Sequence, residues 1–144
     1  DKDKIDSVTV QWSIISESLD NSIHEKGPHG YGALIRGCYG ASYSYHHNLF
    51  AHNRSRNPRP GNYDENTYLL DPEGLLFDFR NNVIYNWGYE SYYGAEANQK
   101  GDRRKPPIKH STINMVANYY KPGPAKKPAS ALRLRKTWRP TAAM

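Results

Sequence analysis

The chain has 144 residues, a single cysteine and a formal net charge of +6. That length suffices for one domain with its own core; one cysteine (Cys38) excludes an intrachain disulfide, and no apolar run reaches membrane-spanning length. The basic balance favours acidic partners, whether nucleic acid, anionic lipid headgroups or a polyuronate, and twelve tyrosines suit an extended polar ligand, since each ring is apolar and its hydroxyl bonds.

From the N-terminus, DKDKIDSV lacks the apolar run of a signal peptide. Four segments then read as strands from their β-branched and aromatic residues: VTVQWSII (8–15), YSYHHNLF (43–50), FDFRNNVI (77–84) and INMVANYY (113–120). Superimposed, they place Ser13, Asn48, Asn82 and Asn118 in one column, 35, 34 and 36 residues apart (48−13, 82−48, 118−82). Alternating apolar pairs precede the column: Val8/Val10, Tyr43/Tyr45, Phe77/Phe79 and Ile113/Met115. A period this regular predicts a solenoid, in which each repeat buries its apolar face by stacking on its neighbour. The alternation has period two and is broken by Gly, Pro and Asn, so the repeat is β, not helical. The chain is thus expected to be all-β, with about four coils of a parallel β-helix over residues 1–125. The asparagines are expected at tight turns, tolerating left-handed backbone and bonding to equivalent amides one coil away.

The segments between the strands differ. Residues 21–37 (NSIHEKGPHGYGALIRG) hold His24, Lys26, His29 and Arg36, and ALIRG reads as a short strand on another face. Cys38 is expected to start a strand rather than to act as a nucleophile. HHNLFAHNRSRNPRPG (46–61) runs from a strand into a loop carrying Arg54, Arg56 and Arg59, stiffened by Pro58 and Pro60. Guanidinium groups on a semi-rigid loop suit forked recognition of carboxylate or phosphate. Alternation along the strand puts one of His46 and His47 outward and leaves the other as a core or ladder residue. Residues 61–74 are acidic and turn-rich, and 85–110 end in a polar loop. A basic tail, 126–144, contains Lys126, Lys127, Arg133, Arg135, Lys136 and Arg139 with no acid among them, so the net charge overstates what the fold contributes.

VTVQWSIISES, the loop with Lys26, HHNLFAHNRSRNPR, FRNNVIYNWG and NYYKPGP together resemble the C-terminal portion of the pectate lyase family, most closely its bacterial branch. The resemblance covers roughly residues 5 to 125. It implies a right-handed parallel β-helix with an internal asparagine ladder, of which this chain would be a fragment. It also implies cleavage of polygalacturonate by β-elimination. A base takes the proton α to the uronate carboxylate, and the bond to O4 breaks to leave an unsaturated sugar. Arg56, in Arg56-Asn57-Pro58-Arg59, matches the family's proposed base; Arg59 matches the second arginine of the motif, and Gly61 stands where a third often occurs. Lys26 matches the substrate-binding lysine, with His29 as the other candidate in that loop. Calcium is the implied cofactor, its carboxylate ligands expected upstream of the first strand, with Asp1 and Asp3 as near neighbours of that cluster. The implied partner is an acidic polysaccharide met outside the cytoplasm (secreted or periplasmic) by a monomer with no nucleic-acid or membrane partner.

Two other classes fit less of the sequence. A β-helix that binds polyuronate without turnover would keep the Arg/Lys/Tyr surface and lack the calcium ligands. A nucleic-acid binder would use the charge and interleaved aromatics, but the cations of the strand region gather at one loop, not along a stripe.

Overall fold

The computed structural model describes residues 5–62, 71, 73–92 and 111–125. Each apolar run folds as two short strands joined by a two-residue corner, because a sharp bend between them lets both inward faces meet one core. The first coil comprises β1 (Val8–Gln11), β2 (Ile14–Ser16) and β3 (Leu34–Gly37); the second comprises β4 (Ala41–His46), β5 (Leu49–Ala51) and β6 (Arg59–Asn62). The third contributes β7 (Leu75–Arg80) and β8 (Val83–Tyr85), and the fourth β9 (Ser111–Val116) and β10 (Tyr119–Lys121). All pairings are parallel, in the orders β1-β4-β7-β9, β2-β5-β8-β10 and β3-β6. This is a parallel β-helix. No helix among the described residues is long and apolar enough to cross a membrane.

The register stacks like on like. Val8, Tyr43, Phe77 and Ile113 form one inward column, and Val10, Tyr45, Phe79 and Met115 a second. Ile15, Phe50, Ile84 and Tyr120 face them from the other sheet. Burial is complete in the middle coils, where Phe50, Phe79, Leu75 and Ile84 are wholly enclosed. Each such side chain stabilises the fold by roughly 1.5–3 kcal/mol.

The corners depart from expectation in one respect. The left-handed residue is not the column residue but the one before it: Trp12, His47, Asn81 and Ala117 have φ of 52, 55, 53 and 53°. That bend turns the next side chain inward, where it reaches the neighbouring coil. Asn82 Oδ1 accepts the Asn48 backbone N–H (2.9 Å) and the Asn48 amide (3.1 Å). The Asn82 amide donates to the Tyr45 carbonyl (2.9 Å) and to Asn118 Oδ1 (3.0 Å). Asn48 and Asn118 repeat the pattern onto the Val10 and Phe79 carbonyls.

Two other expectations change. The 46–61 segment does not end as a loop: Arg59–Asn62 is β6, paired with β3, and Pro58 and Pro60 are buried. ALIRG forms β3 as expected, but Cys38 follows that strand instead of starting one. Asp1, Asp3, most of 61–74, residues 93–110, with the expected polar loop, and residues 126–144 lie outside the described residues.

Asn82→Ala leaves the Asn48 N–H and the Tyr45 carbonyl without their partner inside the coil stack. It is expected to cost about 3 kcal/mol in urea denaturation. Asn48→Ala should cost less, because the groups it orphans, Ser13 N–H and the Val10 carbonyl, lie on the half-exposed first coil. Equal losses would contradict the ladder account.

Candidate functional site

Beyond β2, β5 and β8 the chain turns through another left-handed column, Glu17, His52 and Asn86, with φ of 54, 57 and 50°. The segments that follow stack as three rungs. Arg54 N–H donates to the Gly30 carbonyl (2.8 Å), Gly32 N–H to Ser55 (2.9 Å) and Ala33 N–H to Arg56 (2.7 Å). From the next coil, Tyr89 N–H donates to the Arg54 carbonyl (2.6 Å), and Asn57 N–H donates to Ser91 (2.8 Å). On the middle rung Asn53, Ser55 and Asn57 are buried. Asn53 ties this rung to the coil before it, accepting from Ser18 N–H and donating to the Ile15 carbonyl and Asn57 Oδ1. The period-two alternation therefore sends Arg54 and Arg56 outward.

The two guanidinium groups have different surroundings. Arg54 pairs with Asp20 at 3.1 Å. Arg56, itself left-handed at φ 60°, lies over the Tyr31 ring, 4.0 Å from its centroid. His29 packs against the same ring at 4.2 Å and stacks on His24 at 4.3 Å. Asp20 pins the loop that carries these histidines. Its carboxylate accepts the Gly30 N–H (3.0 Å) and its carbonyl accepts the His29 N–H (3.0 Å). A Cβ on Gly30 would sit 2.8 Å from the Asp20 Cα, so only glycine allows that approach.

These neighbours set the charges. The Gly30 N–H holds the Asp20 carboxyl below its usual range, and Arg54 adds to the effect. His29 is held below the usual histidine value, first by its loss of water and then by the positive surroundings of His24, Arg56 and Lys26; Asp20 opposes the shift. Lys26 is exposed, in a turn where its N–H donates to His24 Nδ1 (3.1 Å). A pocket of about 170 Å³ is lined by Tyr31, Arg54, Ser55, Tyr89 and Glu90. Cations, an imidazole and tyrosines beside a pocket suit an anionic, hydroxyl-rich ligand.

Of the residues singled out by sequence, His29 and Arg56 meet on the Tyr31 ring, and Lys26 lies in the turn before His29. Arg59 sits further along the chain in β6, in register with exposed Leu34. Asp1 and Asp3 lie outside the described residues. Among the described residues no three His, Cys, Asp or Glu side chains gather as a metal site. His46 and His47 are elsewhere, at the corner between β4 and β5. Both are half-buried, neither is a core or ladder residue, and their Nδ1 atoms are 2.9 Å apart. His47 stacks on exposed Trp12 at 4.4 Å. Sequence reasoning missed Asp20 and Tyr31; the glycines flanking Tyr31 were the available signal.

Comparison with known proteins gives a consistent relationship. Over 119 residues, 83% of its length, the chain is 30% identical to a probable pectate lyase C of Aspergillus terreus and 32% identical to one of Neosartorya fischeri. It is 31% identical over 121 residues to one of Aspergillus fumigatus. The chain spans about a fifth of the length of these curated relatives. They are fungal, whereas the motifs pointed to a bacterial branch. No family model matches the chain, and no solved structure matches it.

The charge pattern gives a signed expectation. The His29 imidazole should titrate below the ordinary midpoint of about 6.5. Asp20→Asn removes a nearby charge that favours the imidazolium, so the midpoint should fall further. Histidine proton shifts followed against pH check both points; a midpoint that rises in Asp20→Asn would refute the arrangement.

Proposed function

We propose that this chain belongs to the pectate lyase family and forms the part of a polysaccharide lyase that carries its base and carboxylate-binding side chains. The supporting observation is the meeting of Arg56 and His29 on one tyrosine ring between adjacent rungs of a parallel β-helix, with Lys26 in the turn that precedes His29. The similarity to probable pectate lyases over 83% of the chain adds to it.

In this reading the substrate is polygalacturonate. Lys26 and Arg59 bind uronate carboxylates, with His29 beside Lys26, and their positive charge offsets the negative charge that develops as the α-proton leaves. Arg56 takes that proton from C5. The electron pair forms the C4–C5 double bond, the C4–O4 bond breaks, and O4 departs and acquires a proton. A guanidinium has no free lone pair, so Arg56 must give up a proton before it accepts one from C5. The middle rung fixes the backbone of Arg56, because its neighbours Ser55, Asn57 and Pro58 are buried.

Calcium belongs to the reading as a proposal. When bound it would neutralise a uronate carboxylate. Among the described residues no three His, Cys, Asp or Glu side chains gather to hold it. Action on such a polymer would take place outside the cytoplasm, by a secreted or periplasmic protein. A second reading, polyuronate binding without turnover, rests on the same cationic cluster.

Incubation of polygalacturonate with the chain, with calcium and with a chelator, tests the assignment by the ultraviolet absorbance of the unsaturated product. Rising absorbance is expected, and Arg56→Lys should slow it by roughly 10²–10⁴-fold. Binding with no product would support the non-catalytic reading; neither binding nor product would sink both.

A further inference from the structure

The proposed chemistry depends on where the Arg56 guanidinium is held, and the backbone alone does not fix it. Arg56 projects from a left-handed residue (φ 60°), and an arginine side chain has several rotatable bonds beyond that point. A feature of the preceding coil limits that freedom. Tyr31 lies on the rung beneath, paired in parallel with Ser55. Gly32, next to it, runs so close to the middle rung that a Cβ there would meet Asn57 Oδ1 at 2.6 Å and the Arg56 carbonyl at 2.8 Å. On the other side Gly30 packs on Asp20. The two glycines let the tyrosine backbone press against both neighbours, which leaves the ring under the Arg56 guanidinium at 4.0 Å and against His29 at 4.2 Å.

We infer that Tyr31 is a positioning residue for this site: its ring sets the Arg56 guanidinium and the His29 imidazole relative to each other. The inference rests on the lyase reading for its kinetic consequence and on geometry alone for the contact. A guanidinium over an aromatic face is held by the ring quadrupole and by stacking. The ring face supplies this, not the hydroxyl. Phenylalanine should therefore serve at position 31 and leucine, of similar bulk but without a π face, should not. Because Tyr31 acts through Arg56, its loss should lower turnover more than substrate affinity.

The test uses the full 144-residue chain with Tyr31→Phe and Tyr31→Leu, both checked for unchanged thermal unfolding. Two readouts are taken. The first is the steady-state kinetics of product formation from polygalacturonate. Tyr31→Leu should lose about tenfold in kcat with KM within about twofold of wild type, and Tyr31→Phe should retain wild-type kcat. The second is the proton chemical shift of the Arg56 δ-methylene, which a ring beneath the guanidinium displaces. That displacement should persist in Tyr31→Phe and vanish in Tyr31→Leu. Wild-type kcat in Tyr31→Leu, an equal loss in both variants, or an Arg56 shift that ignores the leucine substitution would each overturn the inference. A wild-type chain that makes no product defeats the lyase reading by itself, and the Arg56 shift then decides whether Tyr31 holds the guanidinium.

Discussion

The asparagine ladder is the constraint on which the rest depends. A parallel coil stack can slip by one residue and turn its apolar side chains to solvent. Asn48, Asn82 and Asn118 prevent this, because each amide must meet backbone groups of one particular coil. Buried donors and acceptors left unmet cost about 1–3 kcal/mol each, so a slipped register loses several such bonds together. The inward columns of Val, Tyr, Phe and Ile gain their packing only in the register that the ladder selects.

The same register assembles the candidate site. Asp20, Tyr31, Arg54, Arg56 and Tyr89 come from three successive coils and meet because those coils are aligned. Their charges are then sorted by local pairing. Arg54 is engaged by Asp20, whose carboxyl is held ionised by the Gly30 N–H. Arg56 rests on the Tyr31 ring, whose face supports its positive charge. Arg56 and Lys26 lie close enough to His29 to disfavour its charged form, and Tyr31, which holds Arg56, also lines the pocket.

The coil repeat was legible because its column is chemically conspicuous: three asparagines at near-equal spacing with apolar flanks. The left-handed corner residues were not, since Trp12, His47, Asn81 and Ala117 share no side-chain property; the bend is imposed by the ladder beside them. β6 was invisible because Arg59-Pro60-Gly61-Asn62 has poor strand propensity and is extended only through its pairing with β3. Lys26, His29 and Arg56 were readable from the motif they resemble. Tyr31 was not, because its role lies in a contact with a residue 25 positions away (56−31) on the next coil.

The central claim is that the surface around Arg56 is the polyuronate site. Titrating the isotope-labelled chain with a short galacturonate oligomer and following its backbone amides by NMR tests it most directly. The account predicts shift changes confined to the rungs of His29, Tyr31, Arg54, Arg56 and Tyr89. Changes centred on the outer face of β4 and β7, at His46 and Arg80, or no saturable change at all, would contradict it.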